Sequence, residues 1–145
     1  MFSDPDDKKQ TFMNDLANRR VGDGLLALCG ETNIAKMAKF KDFTDSFGFT
    51  DWLGEKNIGP ILNPIHDYMT PRMLKKRLNY SLDGRTVISV WNQGRPERKG
   101  KGSEVPLPWT VYHDGNKRTN AVQELPRPFS DRPDIRIGVL DLASL

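Results

Sequence analysis

Six cations are the side chains of this chain best placed by type and spacing to do chemistry. Arg95, Arg98, Lys99 and Lys101 lie in the run Gly94-Arg95-Pro96-Glu97-Arg98-Lys99-Gly100-Lys101-Gly102, where Glu97 is the only acid. Lys117 and Arg118 follow in Asp114-Gly115-Asn116-Lys117-Arg118. Glycine-punctuated backbone, clustered positive charge and the flanking Trp91 and Trp109 are what a loop touching a polyanion requires. If the loop and the later turn share one edge of a sheet, all six cations converge on an RNA or DNA backbone. No base-reading motif accompanies them, so the expected contact is sequence-independent and sensitive to salt.

Other candidate chemistry is thin. Residues 114–119 read Asp-Gly-Asn-Lys-Arg-Thr, which resembles the central part of the Fic/Doc family motif. The resemblance implies a loop that transfers AMP or a phosphate group, with a histidine base four positions before the acidic residue. Thr110 holds that position here, and His113 stands next to Asp114 instead. A Fic-like transferase is therefore the third of three readings, behind a simple basic turn. The pairs His66-Asp67 and His113-Asp114 have the types for metal ligation or for a base oriented by a carboxylate. No H-x-x-x-H or C-x-x-C spacing supports them, and no phosphate-binding glycine motif occurs. Cys29 is the single cysteine and closes the apolar run Leu25-Leu26-Ala27-Leu28, which reads as packing. No catalytic residue, metal or cofactor is expected, and the chain reads as a non-enzyme.

Charge distribution says more than its total of +3. Residues 1–70 hold 8 Lys/Arg against 11 Asp/Glu, residues 71–120 hold 11 against 4, and residues 121–145 hold 3 against 4. Such asymmetry favours either an anionic partner or attraction between neighbouring acidic and basic surfaces. With 145 residues the chain can bury one core. No stretch is apolar for long enough to span a bilayer, so no membrane partner is expected. One cysteine forbids an intrachain disulfide, which fits a reducing, cytoplasmic setting or the inside of a virus particle.

The elements that must position these residues are read from period and punctuation. Asp4-Pro5 offers a cap and a first-turn proline for a helix carrying Phe12, Met13 and Leu16. Thr32 is expected to cap a second helix with Ile34, Met37, Ala38 and Lys41 on one face and Phe40, Phe43 and Phe47 beside it. Asn63-Pro64 and Thr70-Pro71 repeat the cap-then-proline signal, the second opening a basic helix with Met73, Leu74 and Leu78 inward and its lysines outward. That helix is a further candidate to track phosphates. The segments 85–91, 109–112, 117–123 and 134–140 read as strands, with Asp114-Gly115-Asn116 as a hairpin turn.

This order predicts an α+β fold: a helical N-terminal half, then a small antiparallel β-rich C-terminal half with long irregular Pro/Gly-rich connections. Residues 1–80 form the helical, arm-like region and residues 81–145 the β-rich region of one domain. Trp52 and Phe49 are candidate exposed aromatics of the arm. The expected function is that of a non-catalytic structural or interaction protein, a subunit of a virus particle or nucleoprotein complex whose basic loop touches a polyanion. Its partners are then protein subunits of the same assembly, in a homo- or hetero-oligomer, and RNA or DNA. The alternative is a free-standing, sequence-nonspecific nucleic-acid-binding or inhibitory protein.

Overall fold

Two short hairpins and two crossovers, rather than a helical arm, organise the first half of the chain. A computed structural model describes residues 5–37, 42–66, 69–91, 107–126, 129–133 and 135–145. The first helix, α1 (Pro5–Asp15), starts on the expected proline and runs through a 3-10 turn into the hairpin of β1 (Arg20–Val21) and β2 (Gly24–Leu26). A second hairpin, β3 (Lys36–Met37) with β4 (Phe43–Thr44), precedes α2 (Phe49–Glu55). Then come β5 (Pro60–Ile65), α3 (Pro71–Tyr80), β6 (Thr86–Trp91), β7 (Trp109–His113), β8 (Asn116–Lys117), β9 (Gln123–Leu125) and β10 (Ile137–Val139).

Six strands form one mixed sheet in the order β1-β2-β5-β6-β7-β8. The β2–β5 and β5–β6 pairs are parallel, while β1–β2, β6–β7 and β7–β8 are antiparallel. This corrects the expected fold class. Half of the sheet comes from the chain's first half, and its centre is parallel rather than antiparallel. Parallel neighbours need a crossover connection, which the stretch through α2 and then α3 supply. The expected helix after Thr32 is replaced by a 3-10 turn, Glu31–Asn33, and by the β3–β4 hairpin. Phe43 and Phe47 still pack on the core, though from a strand and a turn; Ala38, Phe40 and Lys41 lie outside the described residues.

Strand pairing assigns the two faces. Leu25, Ile61 and Val87 lie on one face with Phe12, Leu16, Phe49, Leu53 and Tyr80 packed against them in the main core. The ring of Phe49 meets Phe12 at 5.6 Å and Tyr80 at 5.3 Å, so all three helices lock onto one aromatic cluster. Phe49 is thus buried, and Trp52 is half-buried against the same core; neither forms the exposed aromatic patch expected of an arm. On the other face the β9–β10 hairpin lies over Trp109 and Val111, with the Arg136 guanidinium 5.3 Å from the Trp109 ring. Trp91 and Trp109 are both buried.

Asn63-Pro64 was expected to cap a helix, yet it sits in the middle of the sheet. In the parallel ladder Ala27 donates to the Leu62 carbonyl at 2.9 Å. The next bond would run from residue 64 to the Ala27 carbonyl, but proline has no N–H. Asn63 Nδ2 donates to that carbonyl instead, at 2.6 Å. The β2–β5 ladder stops there, and the chain beyond both strands is released to form loops.

Candidate functional site

All three parallel strands finish at one end of the sheet, in residues 27–29, at His66 and at Trp91. The polar network beneath that end is built on Asn63. Its Oδ1 accepts from Arg77 Nη2 at 2.7 Å, Arg77 Nε at 3.1 Å and Ser89 Oγ at 3.2 Å. Arg77 also donates to Thr32 Oγ1 at 2.9 Å and to the Met73 carbonyl at 3.2 Å. Arg77 is fully buried beside the expected inward residues of α3, whereas Lys75 is exposed as expected of the lysines. Leu78, expected inside, is 36% exposed. Burial pulls the Arg77 guanidinium down to about 10, against the weaker pull of Tyr80, Cys29 and Tyr112. Among the described residues its hydrogen-bond acceptors are neutral oxygens, with no carboxylate.

Above this layer the 28–34 loop is pinned by its own residues. Glu31 accepts from the Leu28 N–H at 2.7 Å, and Thr32 Oγ1 donates to the Cys29 carbonyl at 2.9 Å. Arg19 ties the loop to α1, with Nη1 2.7 Å from Glu31 Oε1 and Nε 2.9 Å from Asp15 Oδ2. Its guanidinium lies 5.3 Å from the Phe12 ring. Hydrogen bonds from Asn18 and Arg19 hold the Asp15 carboxyl below the usual carboxylate range.

Between α1 and this loop lies a cavity of about 960 Å³. Phe12, Leu28 and Ile34 give it apolar walls, and Asn14, Cys29 and His66 give it polar ones. Cys29 is half-buried and its thiol is free. A second cavity, of about 700 Å³, opens on the other side of Asn33, toward the β3–β4 hairpin and α3. Open α/β sheets place ligands outside the carboxyl ends of their parallel strands, because loops there diverge while the strands hold them rigidly. Cys29 and His66 were weighed in the sequence and set aside for want of neighbours. The signal that unites them is that both lie just beyond a parallel strand, His66 directly after β5 and Cys29 three residues past the end of β2.

The residues singled out by sequence do not gather in this way. Arg95, Arg98, Lys99 and Lys101 lie outside the described residues. Lys117 and Arg118 are exposed at β8 and just after it. Trp91 N–H donates to the Pro108 carbonyl at 2.8 Å, so the described residues on either side of the basic loop are paired at that end. The Asp114-Gly115 turn closes the opposite end of β6 and β7, about 17 Å away at ~3.3 Å per residue. The anchors of the loop and the hairpin cations therefore sit at opposite ends of the sheet.

Residues 114–119 form a hairpin turn and a 3-10 turn, with Asp114 at φ 45° and Gly115 at φ 70°. Asn116 Nδ2 donates to the Asp114 carbonyl, and Asp114 Oδ1 accepts from Gly84 N–H at 3.1 Å. His113 Nδ1 lies 2.9 Å from Thr86 Oγ1. Among the described residues no group of three or more His, Cys, Asp or Glu is placed to hold a metal, and no helix is long and apolar enough to cross a membrane. Comparison with protein-family models, with curated proteins and with solved structures finds no match to this chain.

Proposed function

We propose that this chain is a binding domain that takes up a small molecule at the C-terminal end of its parallel strands. The observation that carries the reading is the cavity of about 960 Å³ between α1 and the 28–34 loop. Its size falls within the range of about 300–1,000 Å³ common for small-molecule sites. The walls suit a ligand with an apolar body against Phe12 and Ile34 and a polar end toward Cys29 and His66. Arg19 bridges Asp15 and Glu31 and so fixes the shape of the mouth, while Lys8 and Lys9 add positive charge on the α1 side of the lining.

The test uses Cys29 as a built-in reporter. A small-molecule library is screened by thermal shift, and each hit is assayed for protection of Cys29 from iodoacetamide. Hits should slow alkylation and should be lost in Asn14→Trp, which fills the cavity from an exposed helix position. Hits that bind equally well to Asn14→Trp and leave Cys29 fully reactive would refute the reading.

The second reading is a non-catalytic subunit of a larger assembly, with protein neighbours and a polyanion contact. What favours it is the outer sheet face, where Val90 is 49% exposed beside the half-buried Leu26, Leu62 and Ile88. Exposed apolar surface of this kind marks protein–protein contacts when it is contiguous. Light scattering at two salt concentrations distinguishes the readings: a particle larger than the monomer supports the assembly, and a monomer at both counts against it.

A further inference from the structure

We propose that the cavity of about 700 Å³ between the β3–β4 hairpin, Asn33 and the first turns of α3 is a site for a small phosphate-bearing molecule. The inference is independent of the first cavity, with which it shares only the Asn33 wall.

Charge is the first support. Lys36, Arg72 and Lys76 line the cavity together with Asn33, Thr44, Ser46 and Thr70, and no Asp or Glu is among its described lining residues. Neither Lys36 nor Arg72 forms an ion pair with a described residue. Asp45 stands between the lining residues Thr44 and Ser46, but its carboxylate is taken up by Thr50. Its Oδ2 accepts from the Thr50 N–H at 2.6 Å and from Thr50 Oγ1 at 2.7 Å. The cavity wall is therefore rich in cations, and the carboxylate of Asp6 acts electrostatically on one of them, Lys36.

Lys76 is the second support, because it is not a freely solvated surface lysine. It is half-buried, and its Nζ donates to Asn33 Oδ1 at 2.8 Å. Burial, the Arg77 guanidinium and Lys9 together push its pKa down. A compact ammonium held by a neutral acceptor, beside a second buried cation, is relieved by an incoming anion. Arg72 adds a planar donor fork that matches two phosphate oxygens, and the hydroxyls of Thr44 and Ser46 can donate to the remainder. A cavity of about 700 Å³ bounded by the hairpin and α3 has the size of a small-molecule site.

The experiment is calorimetric titration of the full chain with inorganic pyrophosphate, with a mixed-sequence single-stranded oligonucleotide as the second arm. Saturable pyrophosphate binding is expected. It should weaken by about tenfold or more in Lys76→Met and in Arg72→Ala. Lys36→Ala serves as a further variant, since Lys36 is exposed and its loss leaves the fold intact. Lys117→Ala/Arg118→Ala should bind as the parent does. Absence of saturable pyrophosphate binding would overturn the proposal. So would an equal loss in the Lys117/Arg118 variant, which marks diffuse charge attraction. Oligonucleotide binding through Lys36, Arg72 and Lys76 without pyrophosphate binding would also overturn it, and would identify a phosphate-backbone track instead.

Discussion

Where the parallel strands begin, the chain turns tightly and the turns are stitched to one another; where they finish, it opens into loops around two cavities. At the first end, Gly22, Asn57, Asp83, Gly84, Asp114 and Gly115 all adopt left-handed backbone. Gly59 N–H donates to the Asp23 carbonyl, Asp114 N–H to the Arg85 carbonyl, and Gly115 N–H to Ser81 Oγ. Among the described residues the only other left-handed position is Gly48, before α2. At the second end Pro64 interrupts the ladder, and a fully buried guanidinium and an asparagine take over the polar accounting of the backbone. The contrast teaches a division of labour. Tight turns fix register at the first end, and side-chain hydrogen bonds permit divergent loops at the second, where binding is proposed.

The largest effect should come from the network beneath the open end. Arg77→Ala removes four donated bonds and leaves the buried Asn63 Oδ1 with Ser89 as its remaining donor, and we expect a loss of about 3–5 kcal/mol in urea unfolding. Asn63→Ala should cost a comparable amount, because it strands the Arg77 charge and the Ala27 carbonyl together. A loss below about 1 kcal/mol in both would show that the network is dispensable, and the distinction between the two ends would weaken.

Glycine substitutions compare the ends directly. Gly115→Ala sets a Cβ 2.9 Å from Leu82 Cδ2 at φ 70°, and should cost about 1–2 kcal/mol. Gly22→Ala meets no atom within 4 Å but keeps φ 59°, so about 1 kcal/mol is expected from backbone strain alone. Gly30→Ala, in the loop at the open end, has φ −69° and open space around it, and should be nearly neutral. Equal losses at Gly30 and Gly115 would contradict the contrast.

The alkaline limb of stability gives a smaller signal. Burial raises the Tyr80 phenol, which donates to the Thr32 carbonyl at 2.9 Å, above its ordinary value of 10.0. Above pH 10 the unfolded chain loses that proton first, so stability falls as pH rises. Tyr112, also raised by burial, acts in the same sense. Arg77 acts in the opposite one, since above about 10 the folded chain gives up its proton before the unfolded chain does. Tyr80→Phe should flatten the fall between pH 10 and 11, read by denaturant midpoints across that range. An unchanged slope would mean that the phenol is solvated.

Much of the tightly turned end was legible in the sequence, because its signals are local. Asp83-Gly84 and Asp114-Gly115 announce turns through residues that tolerate positive φ, and both fall where expected. Thr70-Pro71 likewise opens α3, with Thr70 Oγ1 accepting from Met73 N–H at 3.3 Å. The open end was not legible, because its determinants are non-local. A three-residue β2 and a β5 carrying Pro60 and Pro64 give no strand period, and proline argues against a central strand unless another donor replaces its N–H. That donor, Asn63 Nδ2, can be recognised only once β2 lies beside β5. Arg77 misled for a similar reason. Charge in a helix is assigned to solvent by default, whereas here Asn63, Thr32 and the Met73 carbonyl accept its donors inside. The candidate cavities join residues 8–34 to His66, and residues 33–46 to 70–76, at separations that no local motif spans.

The most direct test of the central claim, that the strand-finishing end is the binding end, is a crystallographic fragment screen of the full chain. The account predicts that fragments cluster in the cavity beside Phe12, Cys29 and Ile34, with anionic fragments in the one lined by Lys36, Arg72 and Lys76. Fragments that instead collect at the Asp83-Gly84 and Asp114-Gly115 turns or over Val90, leaving both cavities empty, would contradict it.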